Sequence, residues 1–188
     1  MMKKWIVLLM VAMIGLGINS AAFAEDESFF DWLFSLEPRN EIKPMHNELY
    51  NEECSDCHFP YQAGLLPEAS WRKLFEPAAL EDHFGDNAEL DDETRIELLT
   101  ALIADSADKS HYKRSKKIIA SLGENEAPLR IIDIPYIKRK HHDIPEDLIA
   151  GNEKVKSLSY CDACHQKADE GIYDDDTVVI PGHGNWTW

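Results

Sequence analysis

Apolar residues recur along the chain in short stretches at helical spacing, and turn-forming or acidic residues separate these stretches. The clearest stretch predicts a helix over 92–105, in which Ile96, Leu99, Leu102 and Ile103 share one face and Asp91 is the N-cap. Four further helical segments are predicted: one that opens near Ser70, one from Pro77 to His83 that stops at Gly85, one over 113–122 and one over 153–169.

Strand patterns are absent from the sequence, since no run of residues alternates between apolar and polar. Residues 124–145 contain three prolines and are predicted to form extended chain and turns. The pattern therefore predicts a mainly α fold with extensive irregular chain.

The first 24 residues have the features of a secretory signal. Lys3 and Lys4 precede an apolar run, and Ala22-Phe23-Ala24 forms a cleavage site. The alternative is a membrane anchor, but the run of 14 residues from Trp5 to Ile18 is shorter than the span of about 20 that a bilayer requires. We therefore expect cleavage after Ala24, export to the periplasm, and no stable membrane insertion afterwards. An acidic, aromatic segment over 25–47 would then begin the mature chain.

Acidic residues dominate the charge of the chain. It has 35 Asp and Glu against 19 Lys and Arg, for a net charge of −16. Loss of Lys3 and Lys4 with the signal leaves 17 basic residues and a net charge of −18. Nucleic acid and anionic lipid need a positive footprint and are excluded as main partners. The charge fits recognition of protein partners through electrostatic complementarity.

The pattern Cys-x-x-Cys-His occurs twice, over 54–58 and over 161–165, and uses all four cysteines of the chain. This pattern attaches haem c: the two thiols form thioethers to the haem vinyl groups, and the histidine binds the iron. Cys54, Cys57, Cys161 and Cys164 are thus predicted to hold two haems. His58 and His165 are predicted to be the proximal ligands.

Each proximal histidine leaves one axial position of its iron to be filled. Met45 is the only methionine beyond the signal, so at most one haem can have histidine and methionine as ligands. The other candidates are His46, His83, His111, His141, His142 and His183.

Two places along the chain stand out among these candidates. His83 shares a predicted helix face with Leu80 and Phe84, which places its imidazole among apolar side chains. Such a histidine is often a satisfied core residue, but two irons need ligands here, and this favours His83 as a ligand. His141 and His142 are adjacent, so only one of them is expected to point inward. The alternative for this pair is a cationic surface patch.

Other metal chemistry fits the sequence poorly. Zinc ribbons separate their cysteine pairs by about 15–20 residues, whereas 103 residues lie between Cys57 and Cys161. The acidic run 174–176 lacks the spaced oxygen ligands of a calcium loop. Two basic clusters interrupt the acidic field, and we interpret them as solvated surface or as sites for haem propionates or an acidic partner. They comprise Lys109, Lys113, Arg114, Lys116 and Lys117, and Lys138, Arg139 and Lys140.

Several motifs in the same order give the chain a family resemblance over most of 48–182. They are Glu53-Cys54-x-x-Cys57-His58, Tyr61-Gln62-x-Gly64-Leu65-Leu66-Pro67, Ser70-Trp71, His83-Phe84-Gly85-Asp86-Asn87-Ala88, Ala104-Asp105-x-Ala107-Asp108, Pro128-Leu129-Arg130-Ile131, Pro135-Tyr136, His141, Lys156-Ser157-Leu158, Ala168-Asp169-x-Gly171 and Ile180-Pro181. With these motifs the chain resembles the bacterial dihaem cytochromes c that donate electrons to a small oxygen-binding monohaem cytochrome.

The resemblance implies a small dihaem cytochrome c domain over 48–188, with helices and irregular chain wrapped around two covalently attached haems. A first haem part would cover about 48–110 and a second about 111–182. It implies bis-histidine coordination, with His83 and His141 as distal ligands. Proximity in the chain favours pairing His83 with His58 and His141 with His165, and crossed pairing stays open.

Electron transfer through two low-potential haems is the function that we expect, without enzymatic activity. The implied partners are redox proteins, among them the small monohaem cytochrome and a membrane cytochrome b or quinol-linked donor. The alternative is a haem enzyme or gas-binding protein in which one iron is open or weakly ligated, as in a peroxidase or sensor.

Overall fold

A computed structural model of the chain describes residues 40–186. The predicted signal over 1–24 and most of the acidic, aromatic segment lie outside the described residues. The regular elements are α1 Glu48–Cys54, α2 Glu68–Leu74, α3 Pro77–Glu81, α4 Asp92–Ala104, α5 Lys113–Ser121, α6 Pro135–His141, β1 Val179–Ile180 and β2 Gly184–Asn185. Helices and irregular chain thus dominate residues 40–186, which confirms the mainly α fold. None of these helices is long and apolar enough to cross a membrane.

Side-chain caps and prolines explain where the helices begin. Asn47 accepts a hydrogen bond from the backbone N–H of Tyr50 and caps α1. Asp91 accepts from the N–H groups of Glu93 and Thr94 and caps α4, as the sequence predicted. Proline occupies the first turn of both α3 and α6, where its missing N–H costs nothing.

The apolar face predicted for α4 is partly wrong. Leu98 and Leu102, four residues apart, are fully buried, whereas Ile96 is 56% exposed. Helix α4 packs against α2 along the stripe of Leu98 and Leu102, and Ile96 lies outside that stripe. The helix itself and its bounds agree with the prediction.

Three other predictions of local structure are wrong. Residues 153–169 form turns and a short 3₁₀ segment, Cys161–Ala163, because hydrogen bonds between residues three apart and a positive φ of 66° at Lys156 interrupt any helix. Helix α6 lies within 124–145, where Pro135 starts a helix instead of breaking one. Helix α3 ends at Glu81, so His83 is presented by a turn and not by a helix.

The core lies between the two halves of the sequence. Buried side chains of one cluster come from both of the predicted haem parts, and a second cluster consists of Ile149, Val155, Val178 and Ile180, the last of which lies in β1. Gln62 joins the halves, since its side chain accepts a hydrogen bond of 2.5 Å from the Tyr173 hydroxyl and donates to the carbonyl of Ala168. A boundary between haem parts near residue 110 stays a prediction.

Arg114, which the sequence placed in an exposed basic cluster, is buried. Its guanidinium forms an ion pair with Glu41 and donates to the Tyr173 carbonyl at 2.8 Å and to the Tyr136 hydroxyl at 3.3 Å. A buried charge is tolerated only where it is paired and hydrogen-bonded. These partners therefore explain how α5 can turn a cation toward the core.

Candidate functional site

The first Cys-x-x-Cys-His motif begins in the last turn of α1. Cys54 closes the helix, and Cys57 and His58 follow in a turn after the C-cap, Ser55. The Nδ1 atom of His58 lies 2.8 Å from the carbonyl oxygen of Phe59. A carbonyl only accepts, so Nδ1 donates the hydrogen bond and Nε2 keeps its lone pair for a metal.

A tight turn over 83–86 presents His83 opposite the first motif. The backbone N–H of His83 donates to the carbonyl of Asp86 at 2.7 Å, and the two central residues, Phe84 and Gly85, have φ of 60° and 105°. Positive φ is costly for a bulky residue such as Phe84. The turn receives support from Arg130, whose guanidinium lies 3.9 Å from the centroid of the Phe84 ring.

The second motif lies in the 3₁₀ segment Cys161–Ala163 and the residues after it. The N–H of His165 donates to the carbonyl of Cys161 at 2.9 Å, and the N–H of Val179 donates to the carbonyl of Cys164 at 3.1 Å. The start of the hairpin therefore fixes the motif from one side. The Tyr173 ring contacts His165 from another, with centroids 5.2 Å apart.

His141, the last residue of α6, faces the second motif. Its Nδ1 atom donates to the carbonyl of Ile137, one helical turn earlier, at 2.8 Å, and this leaves Nε2 free to accept a metal. His142 is exposed, and its Nε2 lies 3.1 Å from Asp143. The structure thus turns His141 inward and His142 outward.

The structure forms two histidine pairs of nearly equal separation. The ring centroids of His58 and His83 are 6.3 Å apart with the planes inclined by 24°, and those of His141 and His165 are 6.2 Å apart at 75°. An imidazole nitrogen lies about 1.1 Å from its ring centroid and binds metals at about 2.0 Å, so two rings on opposite sides of one metal have centroids about 6.2 Å apart. Both pairs fit an iron between them.

Burial adds a second sign that these imidazoles fit metal ligation. Nδ1 of His83 and Nδ1 of His165 are buried without a hydrogen-bond partner among the described residues. Burial also lowers the pKa of His83 and His141, and burial with the neighbouring His141 lowers the pKa of His165 to about 3. All three therefore stay neutral at physiological pH, as metal binding requires.

Each histidine pair faces a largely apolar cavity that both cysteines of its motif also line. The first contains Cys54, Cys57, His58 and His83, and the second contains Cys161, Cys164, His141 and His165. Burial raises the pKa of the Cys54 thiol to about 11 and that of Cys161 to about 12, so both thiols are neutral at physiological pH in this fold. The donor set and the apolar walls fit haem c at both places.

The two cavities share a wall and differ in volume. Their common lining consists of Ile131, Ile132, Ser157, Tyr160 and Cys161. The first cavity has a volume of about 390 Å³ and the second about 60 Å³.

The remaining ligand candidates lie apart from both cavities. His46, His111 and His183 are exposed, and Met45 packs partly buried against the main core. None of the four lines either cavity.

Sequence reasoning gave no role to Tyr61 or Tyr173 at these sites, and it named Arg114 only within a basic cluster for solvent, haem propionates or an acidic partner. Tyr61 stacks on His58 with ring centroids 4.9 Å apart, and Tyr173 and Arg114 line the second cavity. The motif-like stretch from Tyr61 to Pro67 drew attention to Tyr61 but assigned it no role. Nothing near Arg114 in sequence indicates burial, since Glu41 lies 73 residues away.

Comparison with known proteins agrees with this geometry. The family model for dihaem cytochrome c matches residues 50–173, which include both motifs and both histidine pairs. The chain is similar to the solved diheme cytochrome type c from Shewanella baltica, at 37% identity and a TM-score of 0.61, over 75% of this chain and 98% of that chain. Diheme cytochrome c from Rhodobacter sphaeroides gives the same identity and TM-score, over 70% of this chain and 99% of that chain. No curated protein matches.

Two haem c groups are therefore the cofactors of this protein, and the two Cys-x-x-Cys-His motifs contain the four cysteines that covalent attachment requires. The matched region covers most of the described residues, and both solved relatives are spanned almost completely. The chain belongs to the dihaem cytochrome c family.

Proposed function

We propose that this protein is an exported, periplasmic electron carrier with two low-potential haems, each coordinated by two histidines. Membership of the dihaem cytochrome c family suggests electron transfer. The observation that supports the finer proposal is the pair of His–His separations, 6.3 Å for His58 and His83 and 6.2 Å for His165 and His141. Both correspond to the spacing of two imidazoles across one metal.

The haem irons supply one-electron chemistry, and the residues of this chain hold and tune them. His58 and His141 are oriented by backbone carbonyls through Nδ1, which presents Nε2 to the cavity. Histidine at both axial positions lacks the thioether that raises the potential of other cytochromes c. The net charge of −16 favours the ferric state further, so we expect low potentials.

The shared wall supports electron exchange between the two sites. Cys161, which attaches the second haem, also lines the first cavity, and Tyr160 and Ile131 lie beside it in both. Covalent attachment at Cys161 therefore brings one edge of the second site to the boundary of the first. The chain would act as a two-electron store with one internal transfer.

We further propose the partners that the resemblance implies. Electrons would arrive from a membrane cytochrome b or quinol-linked donor and leave to a small oxygen-binding monohaem cytochrome. Export of the chain through the predicted signal over 1–24 would bring it to the compartment where haem c is attached. We do not expect nucleic acid as a partner, because its phosphates repel the acidic chain.

The test is the visible spectrum of the dithionite-reduced holoprotein before and after addition of carbon monoxide. Four histidine ligands on two irons leave no position for the gas, so we expect no spectral change. His83→Ala and His141→Ala should each open one iron to carbon monoxide, while His46→Ala and His142→Ala, at exposed positions, should open none. A shift in the unmodified protein would favour the enzyme or gas-binding alternative instead.

A further inference from the structure

Helices α5 and α6 concentrate positive charge in an acidic protein. Together they carry seven of the 19 Lys and Arg of the chain, four on α5 and three on α6, and none of its 35 Asp and Glu. The seven are Lys113, Arg114, Lys116 and Lys117 on α5, and Lys138, Arg139 and Lys140 on α6. The remaining residues therefore carry more negative charge per residue than the chain as a whole.

Packing of α5 against α6 joins these charges, which lie far apart in sequence, into one surface. The backbone N–H of Tyr136 donates to the Ser121 hydroxyl at 3.2 Å and ties the end of α5 to the start of α6. The Tyr136 ring is then 5.9 Å from the charged groups of both Lys117 and Arg139. One buried ring therefore sets the spacing between cations from the two helices.

Five of the seven cations point outward. Arg114 is buried against Glu41, and Lys140 pairs with Asp175 at 2.5 Å and lines the second cavity. The outward set, called the basic surface here, consists of the exposed residues Lys113, Lys116, Lys117, Lys138 and Arg139.

Little nearby negative charge neutralises the basic surface. Lys138 pairs with Asp133 at 3.1 Å, but both side chains are more than half exposed, so the pair is weak. In the part of the chain that the structure describes, no carboxylate forms an ion pair with Lys113, Lys116, Lys117 or Arg139. These four charges remain available to a partner.

The part of the basic surface that α6 carries, Lys138 and Arg139, lies on the side of that helix away from the second site. Ile137, Lys140 and His141 of α6 line the second cavity, whereas Lys138 and Arg139 are exposed. A helix with its side chains is about 10 Å across. A protein bound at Lys138 and Arg139 would therefore stand about one helix width from the second haem site.

We propose that the basic surface docks an acidic redox protein and that electrons cross α6 between this partner and the second haem. The proposal rests on the electron-transfer function proposed above. A chain of net charge −16 repels an acidic partner everywhere except at this surface, so the same charge distribution selects the face and orients the encounter.

Stopped-flow reduction of the oxidised holoprotein by a plant-type ferredoxin, a small acidic iron–sulfur protein, tests the proposal. The test variant is Lys116→Glu/Lys117→Glu. The matched control is Lys73→Glu/Lys154→Glu, which changes the net charge equally at two exposed lysines outside the basic surface. At low ionic strength we expect the test variant to slow reduction about tenfold or more, and the control to slow it by less than about threefold. The difference should shrink as salt is added.

Zero-length carbodiimide cross-linking supplies a second readout, with products expected at Lys116 or Lys117 and not at Lys73 or Lys154. Equal slowing by both double variants would overturn the proposal, since net charge alone would then account for the rates. A wild-type rate in the test variant would also overturn it, and if that variant had lost binding to phosphatidylserine vesicles, the surface would be assigned to a membrane. Failure of the underlying function would look different: carbon monoxide would bind the unmodified protein.

Discussion

The hydroxyl of Tyr61 donates a hydrogen bond of 2.5 Å to the backbone carbonyl of Ser159, 98 residues later in the chain. The ring of the same tyrosine stacks on His58, the histidine of the first motif. Ser159 lies two residues before Cys161, which opens the second motif. One side chain thus connects the histidine of the first motif to the segment that leads into the second motif.

Replacement of Tyr61 by phenylalanine should remove this connection and keep the stacked ring. The Ser159 carbonyl would lose its partner in a half-buried position, and we expect the free energy of unfolding to fall by about 1–2 kcal/mol. Urea titration of the holoprotein, followed by circular dichroism, measures the change. Tyr160→Phe is the control, because that ring is 38% exposed and should leave stability nearly unaltered. Equal stability of Tyr61→Phe and the unmodified protein would contradict a structural role for this bond.

Arg114→Met tests the buried ion pair beside the second site. The substitution strands the Glu41 carboxylate, whose side chain is 15% exposed, and leaves the Tyr173 carbonyl without its donor. Loss of one partner of a buried pair costs about 3–5 kcal/mol. We also expect the potential of the second haem to fall, since a positive charge that disfavours the ferric state has been removed. Urea titration and a spectroelectrochemical titration measure the two effects.

Two further variants separate burial from charge in this experiment. Glu41→Gln/Arg114→Met removes the stranded carboxylate and should recover part of the lost stability. Arg139→Met removes an equal charge from an exposed position and should change stability by less than about 0.5 kcal/mol. If Arg139→Met lowered stability as much as Arg114→Met, burial of the pair would not explain the loss.

Chemistry that lies in adjacent residues could be predicted from the sequence, and contacts between distant residues could not. The two Cys-x-x-Cys-His motifs need no tertiary information, because five consecutive residues define the attachment. Pro135 was predicted to lie in extended chain, because a proline in the interior of a helix breaks it. In the structure Pro135 occupies the first turn of α6, where a proline favours the start of a helix. Arg114 is buried because it pairs with Glu41, which lies 73 residues away in the sequence. The charged residues next to Arg114 predicted an exposed side chain instead.

Histidine burial makes stability depend on pH in a defined window. The pKa of His165 is lowered from 6.5 to about 3, mainly by burial, and burial also lowers the pKa values of His83 and His141. The unfolded chain therefore binds more protons than the folded one below pH 6.5. The contribution of His165 to the free energy of unfolding is complete above its unfolded pKa of 6.5 and is lost as the pH falls toward 3. The iron ligation proposed for these histidines would act in the same direction, because a protonated imidazole cannot bind metal.

Urea titrations at pH 6.5, 5.75 and 5 measure this effect, at pH values where carboxylates stay mostly ionised. Each buried histidine should contribute a slope that approaches about 1.4 kcal/mol per pH unit below its unfolded pKa. His142→Gln, at an exposed position, should leave the slope unchanged. A flat dependence over this range would show that the histidines are not held neutral by the fold.

The turn that presents His83 can be tested at Gly85. Its φ of 105° lies outside the regions open to residues with a Cβ, so Gly85→Ala should strain the turn by about 1–2 kcal/mol even though no neighbour lies within 4 Å of the added atom. Strain released by opening the turn would draw His83 away from the first cavity. We expect weak carbon monoxide binding by one haem of the reduced variant, with the other haem unaffected.

Gly123→Ala is the matched control for this substitution. Gly123 is also exposed and lies just beyond a helix, but its φ is not positive, and an added Cβ would meet only the Glu126 carboxylate at 3.4 Å. The control should therefore bind no carbon monoxide. The prediction would be wrong if neither Gly85→Ala nor Gly123→Ala bound carbon monoxide while His83→Ala still did. The turn would then tolerate the strain at residue 85. The position of His83 would then depend on its own contacts in the cavity and not on the backbone of residues 84 and 85.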